Sequence, residues 1–100
     1  MSHYPSEPVL KIIQEWDILE KGTEDLIGLI ESEWEYSDMG GFKRYRDNEN
    51  RDILELHTYG WSGNEDIIYA LKNNFGFWSC FWWKSERGGH YWFEIKEIKQ

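Results

Sequence analysis

Cysteine, positive charge and long apolar runs are all scarce in this 100-residue chain. The one cysteine, Cys80, cannot form a disulfide within the chain, which fits a reducing compartment. No apolar run approaches the roughly 20 residues that span a bilayer, so a transmembrane reading is excluded and no membrane partner is expected. The opening Met1-Ser2-His3-Tyr4-Pro5 lacks the basic and continuous apolar regions of a secretory signal, and the expectation is a cytoplasmic protein. Only 11 basic side chains stand against 19 acidic ones, a net charge of -8. Such a chain repels phosphate, so a generic duplex-DNA binder is excluded. No repeat or low-complexity linker divides the sequence. Any internal boundary would leave pieces too small to hold a core, so residues 1–100 read as a single domain.

Large rings are plentiful. Aromatics make up 18% of the chain and seven of them are tryptophan, enough apolar surface to offset the entropy cost of folding and to exclude disorder. Charge and rings are segregated. Residues 1–38 hold ten acids and two bases (2 − 10 = −8), which is the whole net charge, while residues 39–100 hold nine of each sign. The rings cluster in residues 77–93.

The spacing of Val9, Ile12, Ile13, Trp16 and Leu19 predicts an amphipathic helix, N-capped by Ser6 and stopped by Gly22. Leu26, Ile27, Ile30 and Trp34 predict a second helix, capped by Thr23. Residues 1–38 thus read as an acidic helical hairpin. Residues 39–100 read as a ββαββ unit. Phe42 to Arg46 and Ile53 to Tyr59 alternate like strands around an Asp47-Asn48-Glu49-Asn50 turn. Ser62-Gly63-Asn64-Glu65 has the form of a capping box opening a helix to about Asn73, with Asn74 and Gly76 as C-terminal residues. Phe77 to Ser85 and His90 to Ile95 then read as a hairpin around Glu86-Arg87-Gly88-Gly89. With Ser85 opposite His90, Trp83 would face Trp92 and Trp82 would face Phe93. The expected fold is α+β, with an antiparallel sheet of about four strands.

Both faces of that last hairpin are aromatic: Trp78, Cys80, Trp82, Phe93 and Ile95 on one, Phe81, Trp83, Trp92, His90 and Glu94 on the other. Either the sheet is covered on both sides, by the helical hairpin and by the third helix, or one face is an exposed patch for a partner or a flat ligand.

Several constellations are candidates for chemistry. His57-Thr58-Tyr59-Gly60-Trp61-Ser62-Gly63-Asn64 is a strand, a glycine turn and a helix start. Its backbone amides could take a phosphate, Trp61 could stack a base, and His57 or Asn64 could hydrogen-bond it. The ordinary reading is that Ser62 and Glu65 already cap those amides. A nucleophile elbow does not fit, because Asn64 stands where that motif needs glycine. In Arg87-Gly88-Gly89-His90 a turn tip could aim Arg87 and His90 at an anion. If these residues met, His57, Trp61, Ser62, Asn64, Arg87 and His90 would form one ligand site for a nucleotide-like molecule. A hydrolase using a His57/His90 pair is a further alternative. His3, His57 and His90 lack metal-ligand spacing, so no metal and no cofactor is expected. Cys80 reads as an inert core thiol, and Lys43, Arg44 and Arg46 as a solvated edge strand. The acidic hairpin, with Glu31, Glu33 and Glu35, could steer the chain toward a basic partner while Trp83 and Trp92 anchor it.

The stretch His57 to Ile68, followed by Phe77-Trp78 and Arg87-Gly88-Gly89-His90-Tyr91, resembles a family of small uncharacterised bacteriophage and prophage proteins. The resemblance covers roughly the C-terminal half. It implies an accessory protein made inside a bacterial host cell and carries over no catalytic residue. The leading expectation is therefore a non-enzymatic accessory protein that binds and modulates a host protein. The alternative is a small-ligand binder at the strand–helix junction.

Overall fold

The computed structural model describes residues 4–98. Helix α1 (Glu7–Glu15) starts where Ser6 Oγ accepts a hydrogen bond from the Val9 amide at 3.3 Å, with Pro8 in its first turn. The helix expected to run on to Leu19 instead breaks at Trp16. Asp17 Oδ1 accepts from the amides of Leu19 at 3.0 Å and Glu20 at 3.2 Å and so caps a separate short helix, α2 (Ile18–Lys21). Ile12 and Leu19 consequently lie exposed, off the buried stripe. Gly22, at φ 89°, turns the chain into α3 (Thr23–Glu33). The first third is not a simple hairpin, because α1 packs chiefly against a later helix, α4 (Ser62–Lys72).

Strands β1 (Phe42–Arg46) and β2 (Asp52–His57) pair antiparallel around a turn in which Asp47 Oδ1 accepts from the amides of Glu49 and Arg51, each at 2.9 Å. β2 ends at His57, before the expected Tyr59, because Tyr59 and Gly60 both take positive φ. The capping box does not form. Trp61 is the N-cap of α4, Ser62 is its first helical residue, and no side chain caps it.

The segment Phe77–Phe81, expected as strand, is helical. Asn74, expected to close α4, is the N-cap of α5 (Phe75–Phe81), and its Oδ1 accepts from the Phe77 amide at 3.1 Å. Its Nδ2 donates to the carbonyls of Ile13 and Trp16, each at 2.9 Å, tying the end of α1 to the start of α5. Phe77 and Phe81, one turn apart, both point into the core. The two expected strand faces are therefore corrected: Trp78, Cys80 and Phe81 lie on no strand, and Cys80 is exposed.

The last hairpin is β3 (Trp82–Glu86) and β4 (His90–Glu94). Glu86, not Ser85, pairs with His90, which leaves a three-residue turn of Arg87, Gly88 and Gly89. Lys84 pairs with Trp92. A bulge at Trp83 then restores the expected partnership of Trp82 with Phe93, so Trp83 does not face Trp92 directly. Among the described residues the fold is α+β, with five α-helices, a 3-10 turn and one antiparallel four-stranded sheet ordered β1-β2-β4-β3.

Among the described residues the α-helices occupy one side of that sheet. Leu54, Leu56 and Phe93 share a face and are fully buried with Ile13, Leu26 and Ile30 from α1 and α3, Ile67 and Leu71 from α4, and Phe77 and Phe81 from α5. Each such side chain contributes about 1.5–3 kcal/mol of transfer free energy. The third helix, expected to cover the second face, packs into this same core. Among the described residues the second face has no helical layer.

Candidate functional site

Alternation along the strands places Tyr45, Glu55, His57, His90 and Trp92 on the uncovered face. The bulge adds Trp83. Ile53 lies among them and is fully buried although it belongs to no core cluster, so the surrounding side chains roof it over.

Two ordered chains of side chains run across this face. The first begins at Tyr45, whose hydroxyl donates to Glu55 Oε1 at 2.5 Å. Glu55 Oε2 lies 2.5 Å from His57 Nε2, and His57 Nδ1 lies 2.6 Å from His90 Nδ1. Burial pushes the Glu55 carboxyl up, but hydrogen bonds from Tyr45, His57 and Trp92 outweigh it and hold the group below its ordinary value. Burial, then donation to Glu55, push the Tyr45 hydroxyl up to about 12. Glu55 therefore stays an acceptor and Tyr45 a donor. His57 must then carry a proton on Nε2. While His57 is neutral, its Nδ1 accepts, and His90 donates from its own Nδ1. In that state the hydrogen bonds run in one direction, from His90 to His57 to Glu55. A shared tetrahedral metal at ordinary zinc–nitrogen distances would hold the two nitrogens about 3.3 Å apart. The 2.6 Å separation is that of a hydrogen bond. Among the described residues no group of three or more His, Cys, Asp or Glu side chains could hold a metal ion.

The second chain is a cation–π ladder. The Arg51 guanidinium lies 4.4 Å from the Trp83 ring centre, and Lys84 Nζ lies 4.8 Å from Trp83 and 4.5 Å from Trp92. Arg51 is further fixed by Asp47 at 2.7 Å and Glu49 at 3.1 Å. Trp92 meets the His57 ring edge-on at 5.9 Å, which joins the two chains. Even so, Trp83 and Tyr45 are each 38% exposed.

The six residues expected to form one ligand site separate. His57 and His90 meet. Asn64 is fully buried on the helical side, where it bonds the backbone of Glu35 and Thr58. Trp61 packs edge-on against Tyr4 at 6.2 Å. Ser62 is exposed in the first turn of α4, and Arg87 is exposed in the β3–β4 turn. The expected partner-binding residues separate too. Glu31 and Glu33 lie on α3 and Glu35 just beyond it, in the helical layer, while Trp83 and Trp92 occupy the opposite face of the sheet. Tyr45, Arg51, Glu55 and Lys84 were missed from the sequence. The alternation that put Glu55 beside His57 was legible, but the pairing of β2 with β4 that brings His90 to them was not.

Two pockets open elsewhere. One, of about 480 Å³, lies near Arg46, Asp52 and Lys96; the other, of about 330 Å³, lies near Trp16, Leu19 and Cys80. The His57–His90 pair lines neither. Among the described residues no helix is long and apolar enough to cross a membrane. No protein-family model matches this chain, and neither a curated protein nor a solved structure matches it.

Proposed function

We propose that the chain is an accessory binding protein that docks a host protein on the open face of its sheet. The observation that carries this reading is the face itself. Among the described residues the α-helices all lie on the other side, and what remains uncovered is a central group of Tyr45, Trp83, Trp92 and Arg51. Tyr, Trp and Arg are the residue types that dominate binding hot spots. Their side chains are already ordered by the cation–π ladder and by the hydrogen bonds to Glu55, so little rotamer freedom remains to be lost on docking. The face carries Lys43, Arg51 and Lys84 against Glu55, Glu86 and Glu94, with Asp47 and Glu49 paired to Arg51 at its edge, a mixed-charge surface suited to a mixed polar and apolar protein partner more than to a polyanion. The acids of the helical layer would then set long-range orientation and solubility without making contact. The bacteriophage setting rests on the sequence resemblance alone.

The test is affinity capture from bacterial lysate with three baits: wild type, Trp83→Ser, and Glu31→Lys/Glu33→Lys. This reading expects a protein retained by the wild type and the charge-reversed bait and lost by Trp83→Ser. Retention by all three, or loss only on charge reversal, counts against it.

A further inference from the structure

We propose that His90 Nε2 is a nucleophilic nitrogen toward neutral acyl groups, with His57 as its proton acceptor and Glu55 as the carboxylate that positions His57. This goes beyond docking, since it needs no partner protein.

Three observations converge. First, the hydrogen bonds are directed. With Nε2–H of His57 fixed on the Glu55 carboxylate, His57 Nδ1 presents a lone pair to His90 Nδ1–H at 2.6 Å. That leaves the lone pair of His90 on Nε2. Second, Nε2 lies against Gly88, the middle residue of the Arg87-Gly88-Gly89 turn. A Cβ on Gly88 would sit 3.2 Å from it, so any other residue at 88 would crowd this nitrogen. Third, the chain takes no part in the core, which lies on the other side of the sheet. The arrangement repeats the logic of a nucleophile, a base and an orienting acid, with an imidazole as the nucleophile.

The charges nearby select the electrophile. Glu86 is the cross-strand partner of His90, Glu55 stands behind His57, and Lys43 is engaged with Glu55 at 3.8 Å. Two carboxylates against the single cation of Arg87 in the adjoining turn disfavour an anionic phosphoryl group relative to a neutral ester. In the step itself, the Nε2 lone pair attacks the carbonyl carbon. The carbon–oxygen bond to the leaving group breaks and its electron pair departs on that oxygen. The His90 Nδ1 proton passes to His57 Nδ1, and the resulting imidazolium is stabilised by Glu55. Water then adds to the acyl carbon, the carbon–nitrogen pair returns to Nε2, and His57 hands its proton back. Of the two water protons, one stays on the released acid and one neutralises the leaving group.

The probe is p-nitrophenyl acetate with the full chain, read by p-nitrophenolate release and by mapping the acetyl adduct by mass spectrometry. The expected result is an adduct on His90, with none on His90→Gln. His57→Gln and Glu55→Gln should acylate at least tenfold more slowly and with an altered pH profile, while thermal melts show them folded. Acetylation confined to lysines or His3, or unchanged rates in folded His57→Gln and Glu55→Gln, would overturn the proposal. A measurement on the wild type alone guards against variants that fail to fold. Nitrogen NMR of the neutral rings should find the proton on Nδ1 of His90 and on Nε2 of His57; a His90 protonated at Nε2 would equally overturn it.

Discussion

Asn64 closes a two-bond clasp on Glu35. Its Oδ1 accepts from the Glu35 amide and its Nδ2 donates to the Glu35 carbonyl, each at 2.9 Å, while the side chain is fully buried. This joins the start of α4 to the segment after α3 across 29 positions of sequence. Asn64→Ala would strand two backbone groups and should cost about 2 kcal/mol or more, measurable by urea denaturation. Asn64→Asp should not rescue it, because a carboxylate cannot donate to the carbonyl.

Glycines at two turns should respond differently to the same change. Gly89 has φ 85°, and a Cβ there would run into Thr58 Oγ1, whose residue is buried. Gly60 has φ 70° with open space around it. Gly60→Ala should cost about 1 kcal/mol from backbone strain alone. Gly89→Ala should cost more, because strain and overlap combine. Equal losses for the two variants in denaturant would contradict this.

Acid should unfold the protein partly through Arg44. Its guanidinium donates to Asp52 at 2.8 Å and to Glu24 at 2.8 and 2.9 Å, and those bonds hold both carboxyls below their ordinary values. A depressed folded-state value adds stability that is complete above the unfolded-state range, near pH 4, and is lost as pH falls through the folded-state values. Arg44→Met should lower stability at neutral pH and flatten its decline below about pH 4. The effect should come mostly from Asp52, since Glu24 is well exposed and screened.

Phe81 and Trp83 stand two residues apart and should behave as opposites. Phe81 is fully buried against Phe77 at 5.2 Å, so Phe81→Ala should cost about 3–5 kcal/mol. Trp83→Ala should cost about 1 kcal/mol, the loss of exposed cation–π contacts, while abolishing docking. Thermal melts and the capture experiment together separate the two effects.

Cys80 lies on the outer side of α5 and should be alkylated by iodoacetamide in the native protein as fast as in urea. Strong native-state protection would restore the buried thiol that the sequence suggested.

Much of the fold was legible from period alone. Val9 and Ile13, Leu26 and Ile30, and Ile67 and Leu71 repeat at helical spacing, and Ile53 to His57 alternates as a strand. The Phe77–Phe81 error arose because aromatic residues carry strand propensity, while tertiary packing decided otherwise. Asn74, three residues ahead of Phe77, and the four-residue spacing of Phe77 and Phe81 were the available helical signals. The site was half legible. His57 and His90 could be named as candidates, but their meeting depends on β2 pairing with β4 across 33 positions, which no local pattern encodes. Trp61, Ser62 and Asn64 shared a motif with His57 in sequence, yet the positive-φ turn at Tyr59 and Gly60 carries them away from the open face.

The one-sided helical layer gives the molecule an electrical polarity. The net charge of -8 belongs to residues 1–38, whose acids lie on or between α1, α2, α3 and the 3-10 turn (Ser37–Met39), whereas the open sheet face carries both signs. Adsorbed on a cationic support, the protein should settle helices-down. Trp83, Trp92 and His90 would then point into solution, so the charge that contacts no partner would still decide which side a partner meets.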